Sequence, residues 1–177
     1  MTSAVEILEL ARAGLSTSEI AERLDVRFSR VRGLVARAGL HQQKPPLLPE
    51  ALLAGGFEFL GSWQLTSDGR IALDTAFPEA AGTYAFVTSG HAHYVGVATA
   101  GLGRRLRMYT RSSERRKTWA RIHELIKGVL NGGGAVEVYV ARPPELEWNG
   151  LPVLGGAGLE LSLIQRFDLP WNSRGTL

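Results

Sequence analysis

Gly82-Thr83-Tyr84-Ala85-Phe86-Val87, then Ser89-Gly90-His91, then His93-Tyr94-Val95-Gly96-Val97-Ala98: two apolar runs lie on either side of a Ser-Gly pair. The first run reads as a buried strand, Ser89-Gly90-His91 as a turn, and the second run as its antiparallel partner. Working outward, a basic helix is expected at about 102–110 and another at about 117–130, ended by Gly132-Gly133-Gly134. A third strand follows at 135–141. A last helix near 156–167 opens after Gly155-Gly156 and stops before Pro170. Upstream, the aromatic and apolar runs 57–66 and 70–75 flank Ser67-Asp68-Gly69, which reads as a hairpin turn. The expected class is α+β: a small antiparallel sheet of three core strands plus a hairpin extension, flanked by helices.

In front lies a helical module. Ala4, Ile7, Leu8 and Ala11 repeat at helical spacing and Gly14 stops the run. Ser16-Thr17-Ser18-Glu19 has the form of a capping box and opens a second helix that buries Ile20, Ala21 and Leu24. After a turn around Asp25-Val26, a third helix buries Val31, Leu34, Val35 and Ala38; with Arg27 where a Ser or Thr cap is usual, it is expected to start late. The run from Gly14 to Val26 resembles the helix-turn-helix of bacterial DNA-binding proteins. That resemblance implies that Arg27, Ser29 and Arg30 meet base edges, with Arg32 and Arg37 nearer phosphates. The expected organisation is a helix-turn-helix module at 1–40, a linker at 41–55 containing Pro45, Pro46 and Pro49, and a second domain at 56–177.

Composition narrows the function classes. The 177 residues are 45% hydrophobic and 21% charged, which excludes wholesale disorder. No 18-residue apolar run offers a membrane span, and Glu6 and Glu9 interrupt the place of a signal peptide. There is no cysteine, hence no thiolate metal site. A cytoplasmic protein is expected. Residues 101–131 hold nine Lys or Arg against two acids, net +7, while the rest of the chain is net −4. Such a concentration suits a polyanion, nucleic acid first.

The second domain resembles the GIY-YIG nuclease family over roughly residues 81–173. Gly82-Thr83-Tyr84 stands for the first signature and Tyr94-Val95-Gly96 for the second. Leu102-Gly103-Arg104-Arg105-Leu106-Arg107-Met108-Tyr109 resembles the arginine helix, and Leu159-Glu160-Leu161 with Pro170-Trp171-Asn172 the acidic helix and terminal Asn. Each signature alone is weak; five in order are specific. The resemblance implies that Tyr84 orients or deprotonates the attacking water and Tyr94 supports it. It further implies that Arg105 (with Arg104 as rival) meets the phosphate beside Tyr109, Glu160 holds Mg²⁺ or Mn²⁺, and Asn172 holds local geometry. A phenol titrates near 10, so Tyr84 needs a nearby cation to act as a base. Lysine stands at the position of Val97 in one branch of the family, so one cation is missing here.

The function expected is a metal-dependent DNA endonuclease of restriction or defence type, acting as a homodimer on double-stranded DNA, with no membrane partner. Arg111, Arg115, Arg116 and Lys117 are expected to track the DNA backbone. Two alternatives remain open: a structure-specific nuclease of repair or mobile elements, and a non-catalytic DNA-binding regulator. His91 and His93 read as turn and surface residues, and Trp148-Asn149-Gly150 as a loop.

Overall fold

The computed structural model describes residues 3–40, 44–110 and 117–172, without side-chain detail at Lys117. The chain divides into two compact units, at 1–44 and 45–177.

The first unit contains three helices, α1 (Ala4–Arg12), α2 (Thr17–Arg23) and α3 (Phe28–Arg37). The capping box forms as the sequence dictates. The Glu19 N–H donates to the Ser16 hydroxyl at 3.2 Å, and the Ser16 N–H donates to the Glu19 carboxylate at 2.7 Å. Ile7, Ile20, Val31 and Val35 make the buried core; Ala4 and Ala38 lie outside it, exposed on their helices. The turn before α3 places Asp25 at φ +48°, and Arg27 stands at the helix N-cap without a side-chain cap bond.

The second unit is built on a five-stranded, wholly antiparallel sheet. Its strands are β1 (Glu58–Leu65), β2 (Ile71–Leu73), β3 (Gly82–Thr88), β4 (His91–Ala98) and β5 (Val136–Ala141), in the order β2-β1-β5-β3-β4. The three core strands are adjacent, and the β1–β2 hairpin extends them on one side, so the α+β class expected from sequence is what the chain adopts. Strand β3 is buried at every position, as its central place and near-continuous apolar run require. One sheet face carries Trp63, Tyr84, Phe86, Tyr94 and Val138. It is covered by α5 (Leu102–Arg107), a 3-10 turn at Met108–Thr110, and α6 (Lys117–Asn131). The other face carries Ala85, Val87, Val95 and Tyr139, and packs against Leu159, Leu163 and Ile164 of α7 (Gly155–Arg166).

Residues 45–55, expected as linker, belong to this second face. Pro49–Ala54 forms a short helix, α4, with proline in its first turn, where the missing N–H costs nothing. Leu47 and Leu52 are buried, and the Leu47 carbonyl accepts from the Ala92 N–H at 2.7 Å. A second departure is a small hairpin of β6 (Leu146–Trp148) and β7 (Leu151–Val153). Its turn is Asn149-Gly150, both at positive φ, the residue pair that a type I′ turn demands.

Strand β4 is the sheet edge beside the signatures. A bulge at His93 separates the pairs Phe86–Tyr94 and Val87–Ala92. Beyond it, the backbone groups of Val95 and Val97 point away from β3, and both residues meet side chains instead of another strand.

Candidate active site

Three tyrosine hydroxyls meet on the α5 side of the sheet. Tyr84 Oη lies 2.6 Å from Tyr109 Oη, and the Tyr109 hydroxyl donates to Tyr94 Oη at 3.4 Å. With Tyr109 donating to Tyr94, the Tyr84 hydroxyl donates to Tyr109, and the proton of Tyr94 is left to point onward. Two features allow this. Gly96, opposite Tyr84, leaves room for its ring: a Cβ there would lie 2.4 Å from Tyr84 Oη and 2.5 Å from its Cζ. Tyr109 is held from behind by His123, whose Nδ1 donates to the Tyr109 carbonyl at 2.7 Å. His123 is buried, and its place at helical spacing beside Ile122 and Ile126 is the sequence signal for it.

Tyr84 and Tyr109 are fully buried, whereas Tyr94 is 9% exposed. Burial, then the neighbouring phenols, push the Tyr84 phenol well above its ordinary value of 10; Arg105 pulls the other way and is the weakest influence. Burial also raises Tyr109 strongly. In this structure burial opposes ionisation of Tyr84 more than Arg105 favours it, and the Tyr84 hydroxyl donates to Tyr109.

Arg105 and Glu160 approach from opposite sheet faces and converge on the edge residue Val97. Arg105 donates to the Val97 carbonyl from Nε at 3.3 Å and Nη2 at 3.2 Å. The Glu160 carboxylate accepts from the Val97 backbone; burial raises its pKa, opposed by that bond and by the Arg105 charge. Arg104, one residue away, is exposed and makes no such bond among the described residues. The backbone of Val97 thus does what a side chain at that position does not: it ties the guanidinium and the carboxylate together. Gly156 lets α7 start close to the sheet: a Cβ there would stand 3.3 Å from Thr83 Oγ1 and 3.4 Å from Val97 Cγ2, a tight fit.

Asn172 brackets the next outward position. Its Oδ1 accepts from the Val95 N–H at 2.9 Å and its Nδ2 donates to the Val95 carbonyl at 2.8 Å, as a neighbouring strand would. Trp171 adds a bond from its N–H to the His93 carbonyl at 2.7 Å. His93 packs edge-on against Trp171 and beside His91, so it is part of this clamp rather than a surface residue.

Among the described residues, no group of three or more His, Asp or Glu gathers to hold a metal. A lone half-buried carboxylate nonetheless suits Mg²⁺, which keeps several waters and takes one or two carboxylates together with substrate phosphates. In the first unit, Arg27, Phe28, Ser29, Arg30 and Arg32 are exposed along the start of α3. Arg111, Arg115 and Arg116 lie outside the described residues, as does the side chain of Lys117. No described helix is long and apolar enough to cross a membrane.

No protein-family model matches the chain, and no curated protein matches its sequence. Among solved structures, it is similar to a variant of bacteriophage T4 EndoII with TM-score 0.58 and 20% identity, covering 71% of this chain and 98% of that one. A second similar structure is the restriction endonuclease HPY188I in complex with product DNA, with TM-score 0.43 and 14% identity over 69% of this chain and 83% of that one. At 20% identity over nearly the whole of the phage protein, the likeness is one of fold: this chain and EndoII share a chain path.

Proposed function

We propose that the protein is a GIY-YIG-type DNA endonuclease that hydrolyses phosphodiester bonds with a divalent metal. The observation that carries this reading is the convergence of Arg105 and Glu160 on Val97, next to a relay of three tyrosine hydroxyls. Supporting it is the fold shared with phage EndoII. Phosphodiester hydrolysis needs a positioned water, neutralised phosphoryl oxygens and help for the leaving oxygen. Tyr94, outermost of the relay, orients the water through its free proton; Tyr109 and Tyr84 behind it fix the direction of that bond. Arg105, prealigned by the Val97 carbonyl, meets the phosphoryl oxygens. Glu160 holds Mg²⁺ or Mn²⁺, which when bound supplies charge stabilisation at the phosphate and leaving oxygen. Asn172 positions β4 and does not touch the reacting atoms.

The three-helix unit fits a helix-turn-helix reader, with Arg27, Ser29 and Arg30 at the start of the exposed α3. One site per chain cuts one strand, so a homodimer suits cleavage of both strands of a specific duplex site. The test is incubation with long duplex DNA and Mg²⁺ or Mn²⁺, against an EDTA control and against Glu160→Gln. Discrete metal-dependent fragments, lost in Glu160→Gln with DNA binding retained, are expected. Wild-type cutting by Glu160→Gln removes it as the metal ligand. Binding without cutting of duplex, branched or single-stranded DNA overturns the enzyme reading in favour of a DNA-binding regulator.

A further inference from the structure

Next to the site is a cleft of about 250 Å³ that the reaction described above does not use. It is lined by the turn Ala98-Thr99-Ala100-Gly101 and by Arg104, Arg105, Met108 and Trp119. Arg105 is common to the cleft and the site, and its guanidinium lies 5.8 Å from the centre of the Trp119 ring. Trp119, near the start of α6, is half-buried against the core and lines the cleft. Among the described residues that line it, none is acidic.

We infer that this cleft receives one unstacked nucleotide of the substrate, its base against Trp119 and Met108 and its phosphate towards Arg104. The inference rests on the nuclease reading and adds the conformation of the DNA in the site. An indole ring, a thioether and two guanidiniums form a surface for a planar, electron-rich ring attached to an anion. The volume lies below the range of about 300–1,000 Å³ typical of pockets for drug-sized ligands, which leaves room for one ring system and not for a stacked pair. Stacking in a duplex occupies both faces of a base, so a base whose phosphate stands at Arg104 meets Trp119 only outside the stack. The nucleotide must leave the stack first, at a cost that is smallest at ends, mismatches and single strands. Because every base has a π-face, the cleft holds the nucleotide without choosing its identity. Arg104 thereby gains a role separate from that of Arg105: Arg105 is tied to Val97 and faces the reacting phosphate, and Arg104 holds the neighbouring one.

The experiment uses the full chain carrying Trp148→Phe, with EDTA present to prevent cutting. Trp63 and Trp171 are buried and Trp148 is 68% exposed, so in this background a ligand-induced change in fluorescence reports Trp119. A short single-stranded thymidine oligonucleotide is the probe. Saturable quenching is expected. Trp119→Leu, which stays apolar but has no π-face, should weaken binding roughly 5- to 150-fold, and Trp119→Phe should restore most of it. Arg104→Ala should weaken binding and lower the salt slope by about one. Equal affinity for Trp119→Leu and its parent overturns the proposal. Metal-dependent cutting without quenching also overturns it while leaving the nuclease reading intact. Quenching lost in Trp119→Leu, with no cutting of any DNA, upholds the cleft and overturns the nuclease reading instead.

Discussion

Replacing Gly96 by alanine tests the packing beneath the tyrosine relay. The added Cβ would stand 2.4 Å from Tyr84 Oη, 2.5 Å from Cζ and 3.0 Å from Cε1. Ordinary carbon contacts begin at about 3.5 Å, so the overlap is roughly 1 Å. Tyr84 is fully buried, so its ring cannot swing into solvent; either it shifts within the core or β4 retreats at its own edge. Overpacking of this kind costs about 1–3 kcal/mol, a fall in Tm of roughly 4–11 °C for a unit of this size. A shift of about 1 Å also stretches the 2.6 Å bond to Tyr109 beyond hydrogen-bonding range, and misplacement on that scale lowers cleavage about 100-fold. Thermal melts and single-turnover cutting of duplex DNA measure the two effects. Partners separate the causes. Tyr84→Phe removes the 2.4 Å contact but leaves the one at 2.5 Å, so most of the penalty should persist. In a Tyr84→Ala background it should vanish, giving a coupling of about 1–3 kcal/mol. Additive effects of Gly96→Ala and Tyr84→Ala would refute the reasoning.

Three further outcomes follow from other contacts. Asn172→Ala strips both bonds from the buried Val95 backbone and should cost about 1–3 kcal/mol in a denaturant melt, with cleavage falling as β4 loosens; an unchanged melt would show that water replaces the amide without loss. Above pH 10 the unfolded chain releases phenolic protons that folded Tyr84 and Tyr109 retain, so stability is full below about pH 10 and falls as the pH rises beyond it; phenolate absorbance should show these two ionising only together with unfolding, and reversible ionisation of all four tyrosines in the folded protein would contradict their burial. Ser16→Ala removes one half of the capping box and should lower the stability of the 1–44 unit by about 1 kcal/mol, read by amide hydrogen exchange in α2, with protection of β3 and β5 unchanged.

Much of the fold could be read from local signals. Alternation and a Ser-Gly turn define the β3–β4 hairpin, and the capping box at Ser16–Glu19 forms with both its bonds. Segments without periodicity were not legible in the same way. Pro49–Ala54 is too short to show a helical stripe, and three nearby prolines suggest extended chain; Leu47 and Leu52 reveal their role only once a sheet face exists to bury them. The β6–β7 hairpin did have a signal, Asn149-Gly150 between apolar runs, but each strand has three residues, too few for a pattern. Within the site, residue types and order were legible, and environments were not. No sequence pattern says that Tyr84 is sealed beneath Gly96, or that the guanidinium of Arg105, which its spacing to Tyr109 favours over Arg104, ends on a carbonyl at the strand edge. Those facts depend on side chains brought together from positions 97, 105 and 160, and on burial that raises a phenol instead of lowering it.

The bonds at Val95 and Val97 have a consequence beyond catalysis. An edge strand with free backbone groups is a template on which another chain can add a strand, and proteins blunt such edges with charges, bulges or covering segments. In β4 that protection comes from the bulge at His93, the Asn172 amide, the Arg105 guanidinium and the Glu160 carboxylate. The residues proposed for function are thus also guards against aggregation. Truncating Asn172 or Arg105 would open the edge as well as impair the site, and such variants would lose soluble yield along with activity. Glu160→Gln keeps an acceptor for the Val97 N–H and so keeps the edge covered, which makes it the inactive form best suited to trapping DNA at high protein concentration.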